Sequence, residues 1–131
     1  MRAQGTRKTA QFDAASSDFD GVVKLNNDGG VIDPRSVFKG ILQCTPSSEI
    51  TLTFPSAAQL IAACPVIPCP AYCKRFSLRN DSAGSGITLV AGDGGVIDGS
   101  STVAASSYAA NYILKFTSVT SGVESYVIIR V

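Results

Sequence analysis

Three of the four cysteines fall in one short stretch, at Cys64, Cys69 and Cys73, and the fourth stands apart at Cys44. Such a set can bind a metal, form disulfides or attack an electrophile. Structural zinc sites take their ligands as closely spaced pairs. The stretch Cys64-Pro65-Val66-Ile67-Pro68-Cys69-Pro70-Ala71-Tyr72-Cys73 has the stiff turns a zinc knuckle needs, but no second pair completes it. No metal is therefore expected; were zinc bound, Cys44, Cys64, Cys69 and Cys73 would be its ligands. A disulfide stays open, with a connectivity that spacing does not choose. So do buried free thiols, because cysteine is among the most often buried side chains. A catalytic thiol needs a neighbouring cation and a base. Lys74 and Arg75 adjoin Cys73, but the chain has no His.

The absence of His removes every Ser–His–Asp and Cys–His arrangement and every His-ligated zinc site. Glu occurs only at Glu49 and Glu124. Asp18 and Asp20 would share a strand face, yet they sit in a polar segment where solvated charge explains them. No enzyme and no cofactor are expected. Lys74, Arg75 and Arg79 could touch nucleic acid or simply face water. The net charge is only +1, and there is neither an aromatic ribonucleoprotein motif nor a Gly-Lys phosphate loop. Nucleic acid is thus not an expected partner.

Asn80-Asp81-Ser82 fits the N-glycosylation pattern. The basic start, Met1-Arg2-Ala3-Gln4-Gly5-Thr6-Arg7-Lys8, is not followed by an apolar core, so no signal peptide and no glycan are expected. No apolar run approaches the roughly 20 residues that span a bilayer.

The elements around these residues read as strands and turns. The 131 residues make one domain, with 45% apolar and only 16% charged side chains. Residues 1–20 form a polar arm, docked on its own domain or on a neighbouring subunit, and residues 21–131 a single β-sandwich domain. Val37 to Leu42 reads as a strand. Ile50-Thr51-Leu52-Thr53-Phe54 alternates cleanly. Tyr72 to Arg79, Ile87 to Ala91 and Tyr112 to Thr117 follow suit. In the last strand, Val127, Ile129 and Val131 are expected to face the core. Residues 56–64 are Ala-rich behind Pro55 and Ser56, which predicts one short helix.

Asp28-Gly29-Gly30-Val31-Ile32-Asp33 recurs as Asp93-Gly94-Gly95-Val96-Ile97-Asp98. Two Asp per copy are few for calcium. The expectation is a repeated Gly-Gly hairpin turn. Eight or nine short strands at this spacing predict an all-β, antiparallel, jelly-roll-like sandwich.

From Ile50 onward the chain resembles small β-domains of tailed-phage and large-DNA-virus structural proteins. The resemblance lies in Leu52-Thr53-Phe54-Pro55-Ser56-Ala57-Ala58-Gln59-Leu60, in Phe76-Ser77-Leu78-Arg79-Asn80, and in Gly86 to Gly92 followed by Gly95 to Gly99. It continues in Phe116 to Gly122 and in Tyr126-Val127-Ile128-Ile129-Arg130-Val131. It implies a virion structural protein: a minor capsid, cement (decoration) or fibre-head component on the capsid surface or shell, made in the host cytoplasm. Its expected partners are other capsid or fibre proteins and further copies of itself, with a trimer preferred. The Cys64–Cys73 stretch departs from the pattern. The alternative is a receptor- or carbohydrate-binding β-sandwich module, whose platform would come from Tyr72, Tyr108, Tyr112 and Tyr126.

Overall fold

Successive apolar runs become strands that alternate between two sheets. The computed structural model describes residues 21–106 and 108–131; the polar arm lies outside them. Strand β1 (Val22–Lys24) begins a six-stranded sheet and β2 (Gly30–Val31) a four-stranded one. The chain returns to the large sheet as β3 (Ile41–Cys44) and to the small one as β4 (Ile50–Thr53). It then repeats the move with β5 (Cys73–Asn80) and β6 (Ile87–Val90). Each return lies parallel to the strand before it. Val22 aligns with Ile41 and Ile41 with Ser77; Gly30 aligns with Leu52 and Ile50 with Ile87. The first half therefore winds as a short two-sheet solenoid.

The second half closes it. Strands β9 (Tyr108–Ser118) and β10 (Ser125–Arg130) form an antiparallel hairpin laid against β5. β7 (Gly95–Asp98) runs parallel to β10 at the edge of the large sheet. β8 (Thr102–Val103) pairs antiparallel with β6. The large sheet has the order β1-β3-β5-β9-β10-β7 and the small one β2-β4-β6-β8.

This overturns the antiparallel jelly-roll expectation: among the described residues five of the eight strand pairs are parallel. Apolar alternation reports which face of a strand is buried, not the direction of its neighbour. Parallel pairing needs crossovers, and two helices lie on them. Helix α1 (Pro34–Val37) was not expected; Asp33 caps it by accepting from the Arg35 amide, with Pro34 at its first position. The strand expected over Val37 to Leu42 therefore starts only at Ile41.

Helix α2 (Ala57–Ala63) falls where the Ala-rich run predicted one. Ser56 and Gln59 close a capping box around its first turn. The two Asp-Gly-Gly copies are turns, but neither joins a hairpin, because each leads from one sheet to the other.

Inward side chains stack in register across strands. Ile50, Ile87 and Val103 form one buried row, Leu52 and Leu89 a second, and Leu42, Leu78 and Ala110 a third. An aromatic series ties the sheets together. Tyr126 and Phe54 have centroids 5.6 Å apart, Phe54 and Phe76 5.4 Å, and Phe76 and Tyr112 5.2 Å. Such pairs add about 0.5–1.5 kcal/mol each beyond the area they bury. The face expected for the last strand is reversed: Tyr126 and Ile128 are buried, while Val127 and Ile129 lie outward. The aromatic series fixes this, because Tyr126 is the ring that reaches Phe54.

Candidate interaction surface

The cysteines do not assemble a site. Cys44 is buried on β3, Cys64 half-buried, and Cys69 and Cys73 exposed; all four are free thiols. Among the described residues no group of three or more His, Cys, Asp or Glu is placed to hold a metal. Burial pushes the Cys44 thiol above its ordinary pKa, partly opposed by a hydrogen bond with the Thr45 backbone. Its Sγ lies 3.5 Å from both Asn26 O and Asn27 Oδ1.

The basic group Lys74, Arg75 and Arg79 is divided by the pleat of β5. Lys74 takes an inward, half-buried position. Arg79 is paired with Asp81 at 2.7 Å. That guanidinium, with a further bond from Gln43, holds the Asp81 carboxyl below the usual carboxylate range. Of these three, Arg75 is the one that is exposed and has no ion-pair partner among the described residues. Asn80 is fully buried. Its amide donates to Ser85 O at 2.8 Å and Val103 O at 3.2 Å, while its oxygen accepts from the Ser82 amide at 2.9 Å. That side chain is a structural bracket for the β5–β6 turn and closed to a glycan. Asp18 and Asp20 lie outside the described residues.

The four tyrosines do not form a platform. Tyr112 and Tyr126 are buried, and Tyr72 stacks on Phe116 at 5.5 Å. Tyr108 alone is well exposed, at 45%. Beside it stands Arg130, which sequence reasoning missed. Its guanidinium donates to the carbonyls of Ser100 and Thr102 at 3.1 Å and to the Tyr108 hydroxyl at 3.2 Å, and lies 5.4 Å from the Tyr112 ring centroid. A residue so engaged straps β10 to the β7–β8 connection.

Both outer faces mix polar and apolar side chains, in different arrangements. On the small sheet Thr51, Thr88 and Thr102 align across three strands and face water, and the adjacent outward row holds Val31, Thr53 and Val90, both valines exposed. On the large sheet the outward positions of β9 are Ala109, Asn111, Ile113, Lys115 and Thr117, and those of β10 include Val127 and Ile129; Ile113, Val127 and Ile129 are half-buried among them, and Val96 on β7 adds a side chain 61% exposed. Strand register orders them into rows. One row runs Arg75, Ile113, Ile129, Asp98; the next runs Cys73, Lys115, Val127, Val96. The first begins with an exposed cation, crosses two isoleucines, and ends with an exposed carboxylate. Neither end has an ion-pair partner among the described residues. Outward β-branched residues in consecutive strands were the available signal, but the inverted reading of the last strand concealed it.

No protein-family model, curated protein or solved structure matches this chain.

Proposed function

We propose that this protein is a virion structural component acting by assembly with other capsid or fibre proteins and with further copies of itself, and not by catalysis. The observation that carries the reading is the apolar patch on the outer face of the large sheet. Ile113, Val127, Ile129 and Val96 lie together there, between Arg75 at one end and Asp98 at the other. A β-branched patch rimmed by charge is the composition of a contact surface. The resemblance of residues 50–131 to viral β-domains supplies the setting. The test is quantitative mass spectrometry of particles purified from cells expressing the native genome. A structural component is recovered at a fixed ratio to the main shell protein; its absence from particles removes the proposal.

A second reading, glycan or receptor binding, has one observation in its favour: the exposed Tyr108 ring beside Arg130. Tyr108→Ala, with folding intact, separates the two. Loss of cell or glycan binding supports the second reading, and unchanged binding removes it.

A further inference from the structure

We infer that the outer face of the large sheet is a two-fold contact between two copies of this chain, with Arg75 of each copy meeting Asp98 of the other. The inference deepens the assembly reading by naming the partner and the geometry.

Arg75, Ile113, Ile129 and Asp98 occupy adjacent strands in the order β5, β9, β10, β7. With strands about 4.8 Å apart, the row is about 14 Å long. Consider a two-fold axis between the copies, parallel to the strands and lying between β9 and β10. It reverses the strand order but keeps the position along each strand. Ile113 then packs on the second copy's Ile129, and Arg75 faces the second copy's Asp98, twice per contact. The neighbouring row is compatible with the same axis. Val96 meets Cys73, and the aliphatic stem of Lys115 lies along Val127. The strands of the two sheets come out nearly aligned, which is the ordinary mode of sheet-on-sheet packing. A two-fold interface must be self-complementary. A row with a cation at one end, a carboxylate at the other and two isoleucines between satisfies that condition without any other partner.

The patch is small. Two rows on four strands cover roughly 200–400 Å², below the about 800 Å² per partner of a standard interface. Association through it is therefore reversible and rises with concentration.

The experiment is sedimentation velocity across a concentration series on the full chain, using R75D, D98R, an equimolar mixture of the two, and T51D on the opposite sheet as control. The wild type and T51D should dimerise alike, or form a dimer of trimers where a three-fold contact also exists. Each single charge variant should weaken association by roughly tenfold or more, because like charges meet at both ends of the row. The mixture should regain association, since an R75D copy and a D98R copy restore both pairs. Circular dichroism of each variant verifies the fold. The inference is overturned by a wild type that stays monomeric, by an odd-numbered oligomer, by equal association of all variants, or by a mixture no stronger than its components. Particle composition is read separately, so the self-contact and the virion assignment can fail independently.

Discussion

The Tyr126 hydroxyl donates to the Pro55 carbonyl at 2.9 Å and accepts from the Gly92 amide at 2.9 Å. It thereby ties the two exits from the small sheet, after β4 and after β6, to the closing hairpin of the large one. Both backbone groups lose their partner in Tyr126→Phe. The expected loss is about 1–3 kcal/mol, seen as a Tm lower by roughly 5–10 °C in a thermal melt. An unchanged Tm would show that water replaces the hydroxyl freely.

Alkali tests the same residue. Burial pushes the Tyr126 pKa up to about 12, against 10.0 for a free phenol, only partly offset by the Gly92 hydrogen bond. A group raised in the folded state contributes stability that is complete below the unfolded pKa and lost as pH climbs through the folded one. Stability should therefore be flat in this term below about pH 10 and fall between about pH 10 and 12. Tyrosinate absorbance should show a late phase that Tyr126→Phe removes. Because burial also raises Tyr112, a second delayed phase remains.

Gly95 pairs with Tyr126 across β7 and β10, and a Cβ there would stand 2.1 Å from the Tyr126 ring carbon Cζ. Gly95→Ala should cost about 1–3 kcal/mol or more by overpacking. Gly84→Ala, where nothing lies within 4 Å, should leave the melt within about 0.5 kcal/mol of wild type. Equal melts for the two variants would contradict the close ring–glycine packing.

Acid titrates a different contact. Arg79, and then Gln43, hold the Asp81 carboxyl below the usual range. A depressed carboxyl stabilises the fold above its unfolded pKa, and that contribution is lost as pH falls through the folded value. Asp81→Asn should flatten the acid limb of the stability–pH curve while leaving its slope near neutrality alone. An identical acid limb in the variant would remove Asp81 from the account.

The thiols should divide by exposure. Cys69 and Cys73 are open to reagent, whereas Cys44 is 1% exposed with a raised pKa. Alkylation followed by peptide mass spectrometry should label Cys69 and Cys73 first. Cys44 should react roughly a hundredfold or more slowly, at a rate set by local opening. Comparable rates would place Cys44 outside the core.

Much of the local structure was legible. Ile50, Leu52 and Phe54 alternate as a strand facing the core should, and Pro55 and Ser56 before the Ala-rich run announce α2. Strand direction was not legible, because the same alternation suits either pairing, and the parallel return of β3 onto β1 is decided by where α1 turns the chain. That helix is only four residues long, and its cap, Asp33, sits inside a repeated Asp-Gly-Gly motif that reads as a hairpin. The candidate surface was hidden for a related reason. Val127-Ile128-Ile129 is apolar throughout, so its buried face is settled by Tyr126 reaching Phe54 and not by any period in the run.

Native mass spectrometry of the wild type beside Ile129→Asp, at matched concentration and with matching circular dichroism, tests the central claim most directly: that the outer face of the large sheet is the working surface. The account predicts multiple copies for the wild type and a single copy for the variant. The same number of copies in both would contradict it.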